Sequence, residues 1–255
     1  MKIVLVFLII FGTSLFADRL LGKKYTNDIL EVKVQFVNEM TPPIAVERGI
    51  YKELDYITNA QIKADDKVIM NIKTSYYVSK NPIFKFIYKN IDAKVITAQQ
   101  TDNKNRVKSI SKKIKFKDRK YTYLEKRSMK PLRVISRVEL NHFDDADVSK
   151  MFDKSKMIEG SIYIKLPDVS ANGGAVPIHI EPYVDVKSVT LFASNNYNDM
   201  GFVCQWTPVD GYETISYDVK IKMITGYVRV VVESKNGKLY TITRYTDIPV
   251  GGGTS

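Results

Sequence analysis

The chain has 255 residues, 44% of them hydrophobic, with 9 Pro and 13 Gly. That is a globular composition, long enough for one large domain or two of about 100–130 residues. One Cys and two His exclude an intrachain disulfide framework and Cys-rich metal sites, and count against a multi-histidine centre. The formal charge is +11, and the excess is local: between Lys104 and Arg133 there are 13 Lys or Arg against only Asp118 and Glu125. The rest of the chain is balanced.

In chain order, Met1 and Lys2 precede an uncharged apolar run to Phe11, and Ala17 stands before Asp18. This reads as a secretory signal over residues 1–17, cleaved after Ala17, since the run falls short of the ~20 residues a membrane span needs. The expectation is an exported, periplasmic product with no membrane span in the mature protein.

The remainder reads as strands. Residues 29–37 alternate, with Leu30, Val32, Val34 and Phe36 on one face, and 60–72 form a hairpin turning at Asp65-Asp66. Segments 83–88, 93–99 and 107–116 follow, the last pair separated by a turn at Asp102-Asn103-Lys104-Asn105. Residues 145–157 pattern as a short helix capped at Asp144 or Asp145. Seven further strands are expected at 161–166, 175–180, 188–193, 202–207, 213–221, 227–233 and 239–245, with Asn236-Gly237 as the clearest hairpin signal. Short strands at ~8–12-residue spacing make an all-β protein of two sandwiches. The expected divisions are 18–120 and 158–250, with a linker over 121–157 and a Gly-rich tail over 251–255.

Little here supports catalysis. A nucleophilic triad needs an oriented His, and only His142 and His179 exist. His179 is explained by strand alternation in Val176-Pro177-Ile178-His179-Ile180-Glu181. The run Asn141-His142-Phe143-Asp144-Asp145-Ala146-Asp147 groups an imidazole with carboxylates, which helix capping and the macrodipole explain without a metal. In Phe202-Val203-Cys204-Gln205-Trp206, alternation puts Phe202, Cys204 and Trp206 on one face, so Cys204 reads as a buried, inert thiol. No metal or cofactor is expected. The tail Gly251-Gly252-Gly253-Thr254-Ser255 reads as a mobile tether able to enter a narrow pocket of another protein.

The basic strip invites a nucleic-acid reading, but export removes the compartment, and Phe116, Tyr121 and Tyr123 are a poor stacking platform. Two explanations stay open: a lysine-lined sheet edge that resists pairing, or a docking surface for an acidic protein.

Residues from about 158 to 255 resemble SoxY, the sulfur-carrying subunit of the thiosulfate-oxidising Sox system. The resemblance rests on Ile164-Lys165-Leu166-Pro167, Ala171-Asn172-Gly173-Gly174-Ala175-Val176-Pro177-Ile178, and 189–193 with Asn195-Asn196. The 202–208 strand, Lys235-Asn236-Gly237-Lys238 and the glycine arm complete it. Residues from about 29 to 116 resemble its partner SoxZ, through 30–40, Tyr77-Val78-Ser79-Lys80-Asn81-Pro82-Ile83-Phe84 and Thr101-Asp102-Asn103-Lys104-Asn105. The chain is therefore similar to a SoxZ–SoxY fusion. The resemblance implies two immunoglobulin-like β-sandwiches that associate, and a non-enzymatic carrier whose arm cysteine holds sulfur while partner enzymes act on it.

This sequence departs at that atom, because Gly253 stands at the arm position where the family has cysteine. The expectation is a sulfur-oxidation carrier or scaffold docking Sox-type enzymes or a related dehydrogenase, with Gly251, Gly252 and Gly253 as its arm. The alternatives are a generic exported sandwich module and, more weakly, a hydrolase.

Overall fold

A computed structural model describes residues 17–122, 146–196 and 199–249. The first half contains β1 (Arg19–Tyr25), β2 (Ile29–Gln35), a short helix α1 (Pro43–Glu47), β3 (Ile57–Ala64) and β4 (Lys67–Thr74). It continues with β5 (Ile83–Lys89), β6 (Val95–Asp102), β7 (Val107–Lys113) and β8 (Lys115–Lys117). The second half opens with α2 (Ala146–Met151), a 3-10 turn (Lys154–Lys156), β9 (Met157–Glu159) and β10 (Ile162–Lys165). Then come β11 (Val176–Pro182), β12 (Val186–Asn196), β13 (Asp199–Pro208), β14 (Glu213–Ile221), β15 (Gly226–Ser234) and β16 (Leu239–Thr246).

The alternation over 29–37 becomes β2, and Leu30, Val32, Val34 and Phe36 are all fully buried. The β3–β4 hairpin turns at Asp65 and Asp66, both at positive φ (43° and 68°), as a two-residue loop between right-twisted strands requires. Asp65 also accepts hydrogen bonds from the backbone N–H groups of Lys94 and Val95 (3.0 and 2.8 Å), tying the start of β6 to this turn. The β15–β16 connection closes through Ser234 N donating to the Lys238 carbonyl (2.9 Å), with Gly237 at φ 81°.

Each half supplies strands to both layers, making two sandwiches, and the layers run on from one half into the other. The seven-stranded sheet has the order β10-β11-β14-β5-β2-β1-β8, and the nine-stranded sheet β7-β6-β3-β4-β13-β12-β15-β16-β9. The halves therefore join edge to edge twice, through antiparallel β5–β14 and β4–β13 pairs. One core crosses this seam. Phe86 of the first half meets Tyr217 of the second edge-on (6.0 Å), and Tyr217 meets Trp206 from the opposite sheet (5.5 Å). All three are fully buried.

Two sequence expectations change, and one strand is added. The helix expected over 145–157 stops at Met151: the Asp153 carboxylate accepts from Ser155 N (3.1 Å) and caps a separate 3-10 turn, and Met157 is already in β9 against Leu239. Its expected caps, Asp144 and Asp145, lie outside the described residues. Phe202 does not share a face with Cys204 and Trp206. Leu191 pairs with Cys204 while Phe192 pairs with Phe202, so Val203 is an extra residue in a bulge. The bulge sends Val203 and Cys204 into the main core and turns Phe202 outward, where it packs with Phe192, Met200 and Val148 of α2. The added strand is β1, which no expectation covered and which pairs with β2 along its length.

The described part of the basic strip forms edges. β7 ends the nine-stranded sheet and β8 ends the seven-stranded one, at the same end of the protein.

Candidate functional site

The root of the C-terminal arm is built by three segments. Thr246 at the end of β16 is buried, and its hydroxyl donates to the Pro167 carbonyl (2.7 Å). Asp247 then pairs in parallel with Val169: its N–H donates to Asp168 O (2.9 Å) and its carbonyl accepts from Ser170 N (2.8 Å). Ile248 N donates to the Thr225 hydroxyl (2.8 Å). The Asn172-Gly173-Gly174 motif backs this clamp. Asn172 Oδ1 accepts from Gly174 N (2.8 Å), and the Gly173 carbonyl accepts from Met223 N (2.9 Å). A Cβ on Gly173 would stand 2.6 Å from the Met223 carbonyl and 3.3 Å from the Ile248 side chain, so only glycine lets the two segments approach. Gly251, Gly252 and Gly253 lie beyond the described residues, which end at Pro249.

Three residues before Thr225, the clamp meets the seam. Lys222 N donates to Tyr77 O (2.6 Å), and the Lys222 ammonium donates to the Met40 carbonyl of the first half. Burial pulls this lysine down to about 8, against Glu39, which favours the charge, and together with Lys80, which opposes it. A largely buried cation thus ties the halves beside the arm root.

Cys204 is fully buried against Thr74 of the first half across the seam, and burial pushes its thiol well above the ordinary range. Such a thiol is a core side chain, not a nucleophile. His179 faces outward on β11, with Nδ1 2.9 Å from Asp218 and Nε2 2.8 Å from Glu181. Partial burial disfavours its charge, but the two carboxylates outweigh that and raise its pKa to about 9, so it is a cation at neutral pH. His142 and the carboxylates of 144–145 lie outside the described residues. Asp147 accepts from Phe202 N (3.1 Å), fastening α2 to β13. Among the described residues no group of three or more His, Cys, Asp or Glu is placed to hold a metal ion. No helix there is long and apolar enough to cross a membrane.

Sequence reasoning found the glycine motif and the tail but missed their partners, Thr225, Met223 and Val169. Each lies on a segment brought alongside only by the fold.

Two family models match the chain, one in each half. The model of sulphur oxidation protein SoxZ matches residues 19–113, and that of sulfur oxidation protein SoxY matches residues 148–253. The chain is a SoxZ–SoxY fusion, with domains of sulfur-oxidation carrier proteins in that order. A search of curated proteins finds no match. Among solved structures, the chain is similar to the sulfur carrier protein SoxY from Chlorobium limicola f thiosulfatophilum, at 23% identity over 41% of this chain and 90% of that one, TM-score 0.32. A superoxide reductase (neelaredoxin) from Ignicoccus hospitalis also matches, at 9% identity over 35% and 81% of the two chains, TM-score 0.29.

Proposed function

We propose that the protein is a periplasmic, non-enzymatic member of a sulfur-oxidation system that docks Sox-type enzymes as a scaffold and does not load sulfur on its arm. The division into a SoxZ-like unit over 18–120, a linker over 121–157, a SoxY-like unit over 158–250 and an arm over 251–255 belongs to this proposal, as does export through residues 1–17. The observation that carries it is the place of the thiol. Covalent sulfur transfer needs a thiolate that can reach a partner's active site. The one cysteine of this sequence is Cys204, fully buried at the seam, while Gly253 occupies the arm. The clamp at Thr225 and Gly173 still presents an arm root, which supports docking without loading.

Intact-mass measurement after incubation with thiosulfate and purified Sox enzymes tests this. The expected spectrum has no sulfur adduct on the native protein. An adduct of sulfane or sulfonate mass would overturn the scaffold reading.

A further inference from the structure

The outer face of the seven-stranded sheet carries an arrangement that sheet stability does not explain. One cross-strand row runs Lys33–Lys85–Asp218–His179–Lys165 over β2, β5, β14, β11 and β10. Lys33 and Lys85 are directly opposed, a like-charge pairing that disfavours the sheet. Lys220 extends the charge two residues along β14 from Asp218. Some of it is answered: Asp218 and Glu181 engage His179, and Glu31 lies 4.0 Å from Lys85. The exposed ammonium groups of Lys33, Lys165 and Lys220 make no ion pair among the described residues.

These side chains rim a groove of about 460 Å³ with an apolar floor that includes Ile83, Leu166, Pro167 and Pro177. The groove exists only in the joined protein, because Lys33, Lys85 and Ile83 come from the first half and the rest from the second. It also adjoins the arm root, since the Pro167 carbonyl holds Thr246 and the Asp168 carbonyl holds Asp247.

We propose that this groove is the docking site for an acidic, partly apolar segment of a partner protein, which the lysine rim and apolar floor recognise across both halves. The inference rests on the docking function above and names the chemistry of its partner. Lys33 stands opposite Lys85, whose charge Glu31 only partly answers, and has no ion pair of its own among the described residues, so an acidic chain relieves a repulsion already present while its apolar residues cover the floor. Docking there places the partner beside the origin of the arm.

The probe is a fluorescent twelve-residue peptide alternating Glu or Asp with Val or Leu, titrated by anisotropy at about 0.15 M salt, where exposed charges are screened beyond about 8 Å. The full protein is compared with Lys33→Gln/Lys165→Gln/Lys220→Gln and with a charge-matched edge variant, Lys108→Gln/Lys112→Gln/Lys113→Gln. The groove variant is expected to bind about tenfold more weakly and the edge variant to change by less than about twofold. Carbodiimide cross-links should map to Lys33, Lys165 or Lys220. All substituted lysines are on the surface, and unchanged melting curves confirm folding. Equal losses in both variants, no saturable binding, or displacement by equimolar inorganic thiosulfate would overturn the proposal. An unchanged groove variant that still recovers Sox enzymes sinks this inference alone; failure to recover them sinks the function.

Discussion

Strands β7 and β5 both carry lysine, in opposite settings. On β7, Lys108 and Lys112 flank Ile110 on the face that looks toward the core, where their register partners are the buried Gln100 and Ile96. Among the described residues β7 is an edge with no further strand beside it. An inward-leaning lysine on an edge is a charge that an incoming strand would have to bury, so it discourages addition. On β5, Lys85 is central, lies opposite Lys33, and has strands hydrogen-bonded on both sides. There the strand is already paired, and its lysine projects into a groove. The same residue type serves exclusion at one place and presentation at the other, and the difference is the neighbouring strand.

The second of these settings lies at the seam, where β5 pairs with β14, and breaking the seam has the largest expected effect. Trp206→Ala removes the ring that joins Ile72 and Tyr217 across the halves and should cost about 3–5 kcal/mol in urea denaturation. Both halves should unfold in one transition, read by far-UV circular dichroism and by tyrosine fluorescence; two separated transitions would show that the sheets do not couple the halves. Trp206→Phe should cost far less, about 1.5 kcal/mol or under, because the buried indole N–H has no hydrogen-bond partner among the described residues to lose.

The charged face of the central strands should reveal itself through pH. With a folded pKa of about 9, above its ordinary 6.5, His179 binds its proton more tightly in the folded state. Its stabilisation is complete below about 6.5 and lost as pH rises through about 9. The stability difference between the wild type and His179→Gln should therefore shrink by about 1–2 kcal/mol between pH 6 and pH 10. A difference flat across that range would remove the carboxylate cage as its cause.

The edge has the smallest expected effect on stability. Lys108→Val/Lys112→Val should shift unfolding by no more than about 0.5 kcal/mol, because these positions are exposed. Light scattering on warming should nevertheless show aggregation at lower protein concentration. Unchanged aggregation would mean that the edge needs no charge, and the contrast with β5 would lose half its content.

Several of these features were readable in advance, for a local reason. Alternation in 29–37 named the core face of β2, the Asp65-Asp66 pair named a turn, and the apolar setting of Cys204 named a buried thiol. Each depends on residues within a few positions of one another. The misplacement of Phe202 came from the same method: period-two counting fails at a bulge, and the extra residue at Val203 shows only against the register with β12. β1 was missed because Lys23 and Lys24 interrupt its apolar positions, while its pairing with β2 supplies the backbone hydrogen bonds that make it a strand. At the arm, the glycine motif was visible, but its clamp at Thr225 and Met223 needed chain segments about 50 residues away.

By itself, then, the sequence determined the all-β class, the two carrier-type halves in their order, the concentration of charge between Lys104 and Arg133, and a glycine tail with its sole thiol elsewhere. Only the tertiary structure decided that the halves share both sheets, that the described part of the basic strip supplies edges, and that lysines distant in sequence line one groove. The physical reason is that side-chain period tells which residues share a face of a strand, whereas the strand that comes alongside is chosen by long-range packing. In this protein, that choice turns Lys33, Lys85, Lys165 and Lys220 from scattered surface charges into one surface.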